Sequence, residues 1–426
     1  PPCVLIAGGR PDQIDEFASY GIKAFIHAPT LELLGEHATE LAQAIKAGLG
    51  KDRSLEDIAA TLNTTRRFER FRAVLVASSR SELDELLGEL SEYAREGVVP
   101  GVLGPNLMLT DTEISKHELK VAWMFPGQGA QRVGLLRGLY ERSAIFKDKL
   151  DTLATHVDGI LPKPLLTYLY PELLGADELQ GAEDALKATE VCQPVMAALG
   201  LALGAFLESL GVPCDVTLGH SLGEFAAAAA GGILDEQEAL GFVAKRGKLM
   251  AELDLEDFGA MAASMADRKA TEDVIGGIDG VQIANVNHPR QTVVSGTTQA
   301  VEQAVAALKA AKIAAKPLRV SHAFHSPVVE GVTSDVDVLI DTLHIQSPRK
   351  IVVSAISAKP YDFTQGEASI KKIFSTHATA PVDYVGCLES ALKAGANVFV
   401  EVGAGKTLTS FAKGTLGDRA TMVQLN

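Results

Sequence analysis

Apolar residues recur along this chain in two rhythms, and their alternation outlines a series of α/β units. Leu34, Ala38, Leu41 and Ile45 fall at helical spacing, which predicts one amphipathic helix. Val4–Ala7 and Phe71–Ala77 are short apolar runs that read as buried strands. Ser79 with Glu82 three positions on is a capping-box pattern, opening a second helix over Leu83–Tyr93. Ser54 opens a third, short helix. Residues 1–100 therefore read as a small α/β domain, without evident chemistry and suited to linking or docking. The Gly/Pro-rich stretch from Gly97 to Asp111 marks a linker, placed at 101–118.

A strand over Lys120–Phe125 comes next and runs into Pro126-Gly127-Gln128-Gly129-Ala130-Gln131. Arg137 to Leu210 is mainly helical, with loops near Pro162-Lys163-Pro164 and Gly175. Asp215–Leu218 is a second strand, followed by Gly219-His220-Ser221-Leu222-Gly223 and an alanine-rich helix from Phe225 to Gly232. Glu236–Leu253 is a longer helix. Between about 256 and 321 the pattern changes. Strand Gly259–Met265, helix Asp267–Ile275, strands Gln282–Val286 and Gln291–Ser295, helix Thr298–Ala311 and strand Ala314–Val320 give the order β-α-β-β-α-β. That order is the ferredoxin-like arrangement. It reads as an insert over 256–321, because strands Ile351–Ile356 and Val398–Val402 resume the α/β pattern. The predicted body is thus 119–255 with 322–415, and 416–426 is a tail.

Composition narrows the function classes. The chain has 426 residues, enough for two or three domains, and 47% of them are hydrophobic. A net charge of −15 without a dominant Lys/Arg cluster argues against nucleic acid or an anionic membrane as partner. Cys3, Cys192, Cys214 and Cys387 are scattered, so neither a zinc site nor a disulfide framework is expected and a reducing cytoplasm fits. No signal peptide or unbroken spanning segment is read. The opening Pro1-Pro2 without Met suggests a piece of something longer.

The candidate chemistry centres on Gly219-x-Ser221-x-Gly223, the form of a nucleophile elbow. A serine hydroxyl needs a base within hydrogen-bond reach. The segment Ser321-His322-Ala323-Phe324-His325-Ser326 leaves the insert for the body, so it can lie over the elbow. Two histidines at i, i+3 without a third ligand nearby make a poor metal site, and no metal is expected. Acyl transfer also needs donors aimed at an oxyanion. The N–H of Leu222 is one, and Gln128 in the glycine-rich turn offers another. Arg246 is either a surface arginine or a guanidinium holding a substrate carboxylate.

Taken together, these motifs resemble the malonyl-CoA:acyl-carrier-protein transacylase family, which includes acyltransferase domains of polyketide, fatty-acid and polyunsaturated-fatty-acid synthases. The resemblance covers residues 119 to 415. It rests on Phe125-Pro126-Gly127-Gln128-Gly129-Ala130-Gln131, Gln193-Pro194, Gly219-His220-Ser221-Leu222-Gly223-Glu224 and Lys245-Arg246-Gly247. Asn285-Val286-Asn287, His322-Ala323-Phe324-His325 and Glu401-Val402-Gly403 complete it. It implies a hydrolase-like, mostly parallel α/β body carrying the ferredoxin-like insert. It implies Ser221 as acylated nucleophile, His325 as general base, Gln128 and Leu222 as oxyanion donors, and Arg246 as partner of a malonyl carboxylate. His220 would touch substrate or only shape the turn, and Gln193 and Asn285 would line the site. The base would be oriented by a backbone carbonyl near Ala394. Phe324 would fill the space that an α-methyl needs, giving a preference of about 1–3 kcal/mol for malonyl.

The implied reaction is ping-pong transfer from malonyl-CoA to the phosphopantetheine thiol of an acyl carrier protein, with no bound cofactor and a ketosynthase domain as neighbour. Two features depart from the family pattern: Ala404 where Pro is usual, and Pro381-Val382-Asp383-Tyr384 in place of Pro-Val-Arg-Phe. Residues 54–79 are similar to a ketosynthase–acyltransferase linker, and Gly8–Gln13 is faintly similar to flavin-dependent barrel enzymes. Two rival readings share the scaffold: a serine hydrolase or thioesterase that uses water, which Arg246 disfavours, and a silent docking domain, which the intact Ser221, His325 and Gln128 set disfavours.

Overall fold

A computed structural model describes residues 22–48, 70–77, 79–97, 101–104, 106–111, 119–171, 176–318, 320–403 and 405–425, with isolated positions between 52 and 62. The expected strand Val4–Ala7 and the Gly8–Gln13 segment lie outside the described residues, as does most of the helix expected from Ser54. The chain divides into two units, one built mainly from residues up to 119 and one from residue 120 onward.

The first unit holds strands β1 (Ile22–Ala28), β2 (Phe71–Ala77), β3 (Gly101–Gly104) and β4 (Leu107–Thr110). They form an antiparallel sheet in the order β1-β2-β4-β3. Helices Leu31–Lys46 and Arg80–Glu96 carry its apolar faces, and Leu34, Leu75, Leu83, Leu87 and Leu90 make a dry core with Ala73. Ser79 caps as its position predicts, its hydroxyl accepting from the Glu82 N–H at 3.2 Å. The carboxylate of Glu82 reaches Asn106, whose amide donates to Oε1 at 2.9 Å. This corrects the first part of the linker assigned to 101–118, since β3 and β4 complete the first sheet, while 112–118 lie outside the described residues. Glycines at both ends of β3 obscure a strand whose backbone partners lie in β4.

The second unit begins with β5 (Val121–Phe125) and β6 (Val216–Gly219), separated by helices that include Thr189–Ser209. That helix is apolar enough to cross a membrane by length and composition, yet 89% of its most apolar window is buried in this unit, which makes it a core helix. The insert follows as β7 (Ala260–Ser264), β8 (Val281–His288), β9 (Gln291–Gly296) and β10 (Ala315–Pro317), with helices Arg268–Ile275 and Thr298–Ala310. Next come β11 (Ile351–Val353), β12 (Val382–Asp383), β13 (Val398–Glu401) and β14 (Thr421–Gln424).

The body sheet has the order β11-β6-β5-β13-β14, parallel throughout. All five residues of β5 and all four of β6 are buried, as a parallel sheet covered on both faces requires. The assignment of 416–426 as a tail is corrected here, since β14 pairs with β13 from Val398↔Thr421 to Glu401↔Gln424. The insert sheet runs β10-β7-β9-β8, the ferredoxin-like order. It also gains β12 from the body, parallel to β8. The ends of β5, β6 and β13 point the same way, so three loops meet at the carboxyl edge, where open α/β sheets hold their ligands.

Candidate active site

The turn after β6 puts Ser221 at φ 48°, in the left-handed region. Few L-residues adopt it, and one held there lifts its side chain clear of the strand. Close backbone packing holds the turn. A Cβ on Gly223 would lie 2.0 Å from the Phe125 carbonyl oxygen, and one on Gly127 would lie 2.6 Å from the His220 carbonyl oxygen. Only glycine permits this approach, which brings the Pro126–Gln128 turn beside the elbow. The Thr217 hydroxyl donates to the Ala227 carbonyl at 2.8 Å, tying β6 to the elbow helix Gly223–Gly231.

His325 meets the elbow. Its Nε2 lies 2.7 Å from Ser221 Oγ and its Nδ1 lies 2.9 Å from the Ala380 carbonyl. A carbonyl only accepts, so Nδ1 carries the proton and the Nε2 lone pair faces the serine hydroxyl. His325 is itself at φ 57°. The 378–380 segment holds it there, since its N–H donates to the Ala378 carbonyl at 2.9 Å. Gln282 on β8 adds a clamp, donating from Nε2 to the carbonyls of His325 (2.8 Å) and Thr379 (3.2 Å). Burial pushes the imidazole well below its ordinary 6.5, His377, Arg246 and His220 nearby reinforce this, and the Ala380 carbonyl opposes it. The group is a free base at neutral pH.

The orienting carbonyl is therefore that of Ala380, which corrects the expectation at Ala394. The Ala394 carbonyl instead accepts from Lys120 Nζ at 3.4 Å, just past the end of helix Tyr384–Lys393. The Leu222 N–H, at the start of the elbow helix, makes no hydrogen bond within the described residues. Neither does the N–H of Gln128, whose side chain donates to Thr189 Oγ1 at 3.2 Å. Both N–H groups are thus unengaged among the described residues, one directly after Ser221 and one in the turn packed against the His220 backbone.

Arg246 is not a surface arginine. It is 5% exposed on helix Glu236–Ala251, which Asp235 caps by accepting from the N–H groups of Gln237 and Glu238. Its NH1 donates to Gln193 Oε1 at 2.7 Å, and its guanidinium lies 5.3 Å from the Phe225 ring centroid. Burial lowers its pKa to about 10, so it stays cationic at neutral pH. Among the described residues no carboxylate lies within 4.0 Å of it. A buried cation without an anion is costly, and a ligand carboxylate relieves that cost.

Gln193 thus holds Arg246. His220 Nε2 sits 2.7 Å from Asn287 Oδ1 and its ring meets Tyr384 edge-on at 5.3 Å, so it joins the elbow to the insert. Its pKa is lowered, chiefly by burial. Asn285 lies two positions before Asn287 on β8, is 5% exposed, and makes no side-chain hydrogen bond in the described set. Phe324 packs on Met261, Ala284 and Val293 of the insert, with the His322 ring 5.7 Å away. Sequence reasoning named Asn287 only as part of a motif and gave it no role, and it missed Ala380, Gln282 and His377. His377 is fully buried, with Nε2 3.1 Å from the Ser221 carbonyl and Nδ1 3.4 Å from Arg246 NH2. For His377 the available signal was a histidine four positions before Pro381.

A serine–imidazole pair at the carboxyl edge of a parallel sheet is the geometry in which a neutral base faces a hydroxyl nucleophile. The chain belongs to the acyl transferase domain family, which matches residues 122–424. It is 31% identical over 416 residues to the polyketide synthase GfsA of Streptomyces halstedii, covering 96% of this chain and 5% of that synthase. The acyl transferase domain of SpnD, solved in complex with 2-(pent-4-yn-1-yl)malonyl, superposes with a TM-score of 0.79 at 26% identity, covering 95% of this chain and 90% of that one. A malonyl-transacylase solved with its type II polyketide synthase acyl-carrier protein gives 0.65 at 26% identity, covering 72% and 96%.

Proposed function

We propose that this domain moves a malonyl group from malonyl-CoA to the phosphopantetheine thiol of an acyl carrier protein, through an ester on Ser221. The observation that carries the malonyl assignment is Arg246, a buried guanidinium with N–H groups to spare and no carboxylate partner among the described residues. His325 Nε2 takes the Ser221 proton as Oγ attacks the thioester carbonyl. The N–H groups of Leu222 and Gln128 hold the oxyanion. The C–S bond then breaks, and the coenzyme A thiolate leaves with the proton from His325. In the second half, His325 deprotonates the carrier thiol, which attacks the ester and releases Ser221. Every proton has a named carrier, so the reaction calls for no metal or redox cofactor.

Phe324, beside His322, serves in this reading to disfavour α-substituted acyl groups. The domain would work within a longer synthase, next to a ketosynthase, as suits a chain matching 5% of the length of a polyketide synthase. The test is intact-mass measurement after incubation with malonyl-, methylmalonyl-, acetyl- and longer acyl-CoA. A malonyl adduct, absent in Ser221→Ala and transferred when holo carrier protein is added, is expected. Better loading by acetyl than by malonyl would remove the substrate assignment, and an adduct lost to water as fast as to carrier thiol would make the protein a hydrolase.

A further inference from the structure

Beneath the elbow lies a chain of buried polar groups that the reaction above does not use. His377 is at its centre. Its Nδ1 faces Arg246 NH2 at 3.4 Å, and a guanidinium only donates, so Nδ1 accepts. The ring proton is therefore on Nε2, which points at the Ser221 carbonyl (3.1 Å) and at Glu224 Oε2 (3.3 Å). Glu224 is fully buried, and its other oxygen accepts from the Tyr361 hydroxyl. Tyr361 keeps its proton, because burial and then the Glu224 charge push its pKa well above 10.0. The imidazole is packed between the rings of Phe225 (4.8 Å) and His325 (5.8 Å). One face of the guanidinium is thereby fixed twice, by Gln193 on NH1 and His377 on NH2. Arg246 has five N–H donors, and these two contacts engage one on each terminal nitrogen.

We propose that His377 is a positioning residue for acyl-group selection. It fixes the Arg246 guanidinium relative to the Ser221 backbone, so that a carboxylate paired with the arginine leaves its thioester carbonyl at the serine hydroxyl. The Arg246 contact on Nδ1 and the Ser221 carbonyl on Nε2 fix which nitrogen of His377 carries the proton, with Glu224 Oε2 3.3 Å from that nitrogen. This rests on the reading that Arg246 takes the malonyl carboxylate. Two contacts decide the role. Imidazole spans from the Ser221 carbonyl to Arg246 with a donor at one end and an acceptor at the other. A glutamine amide can offer the same pair, whereas asparagine is one methylene too short and phenylalanine has neither group.

The experiment measures kcat/KM for malonyl-CoA and acetyl-CoA in the wild type, His377→Gln, His377→Asn, His377→Phe and Arg246→Ala, with a thermal melt of each. His377→Phe and His377→Asn are expected to lower malonyl kcat/KM roughly tenfold and acetyl kcat/KM less than about threefold, with His377→Gln recovering most of the malonyl rate. His377→Asn keeps a polar group in the buried site, so it reports even where His377→Phe does not fold. Equal losses for both acyl groups in His377→Asn, or an unchanged malonyl preference, overturns the proposal. Arg246→Ala separates the two levels. If it loses the malonyl preference while His377→Asn keeps it, only the role of His377 falls. If Arg246→Ala keeps the preference, the carboxylate reading falls and this proposal with it.

Discussion

Acylation of Ser221 is expected to ignore pH across the range where an ordinary histidine titrates. His325 is 2% exposed, its Nε2 is 2.7 Å from Ser221 Oγ, and its pKa lies well below 6.5, chiefly through burial. A histidine titrating at 6.5 would leave only about half the base free at that pH and roughly a tenth one unit lower. His325 stays free through that range, so the single-turnover rate should be flat from pH 8 to below 6.5 and fall tenfold per unit only under its own pKa. The same shift makes a stability statement of definite sign. The folded pKa is depressed, so between 6.5 and the folded value the unfolded chain binds a proton that the native site refuses. Stability is then lost as pH falls through this window, by about 1.4 kcal/mol per pH unit for this one group. Rapid-quench acylation by malonyl-CoA between pH 5 and 8 reads the first effect, and urea melts at three pH values read the second, with His325→Ala as control. A rate midpoint at or above 6.5, or a melt whose pH slope is unchanged in His325→Ala, would refute the reasoning.

Two further outcomes test how the site is held. Gly223→Ala sets a Cβ 2.0 Å from the Phe125 carbonyl oxygen, where backbone meets backbone, so a loss of roughly 1–3 kcal/mol in urea melts is expected together with slower loading; a variant matching the parent in both would contradict the packing of β5 on the elbow. Gln282→Leu removes the donors to the His325 and Thr379 carbonyls, so kcat should drop about tenfold with KM for malonyl-CoA little changed, and an unaltered kcat would show that the 378–380 segment holds His325 without it.

Residues whose chemistry demands a local backbone shape could be read before the fold was known. Ser221 needs glycines at both flanks because Gly219 lies against the Gly223 backbone and Gly223 against that of Phe125, and that need is written in five consecutive letters. His325 was legible for a related reason, since it sits where the insert returns to the body. The insert's strand order was legible because its period-2 and helical stretches are short, regular and local. The groups that tune the pair were not, because each acts across a long span of sequence without constraining its neighbours. His377 reaches Ser221 over 156 positions and Arg246 over 131, and the Ala380 carbonyl reaches His325 over 55. A backbone carbonyl has no letter of its own, so Ala394 and Ala380 were indistinguishable in the chain and only the course of the segment before β12 separates them. The same holds for β3 and β14. Their Gly-flanked or terminal positions resemble a linker and a tail, and what makes them strands is a partner supplied by β4 and β13. The serine–imidazole pair is thus a property of motifs, whereas the neighbours of the buried Arg246 guanidinium are set by tertiary packing alone. Sequence motifs shared with relatives therefore identify the reaction more readily than the acyl group, and the Arg246 and His377 variants proposed above test where that choice is made.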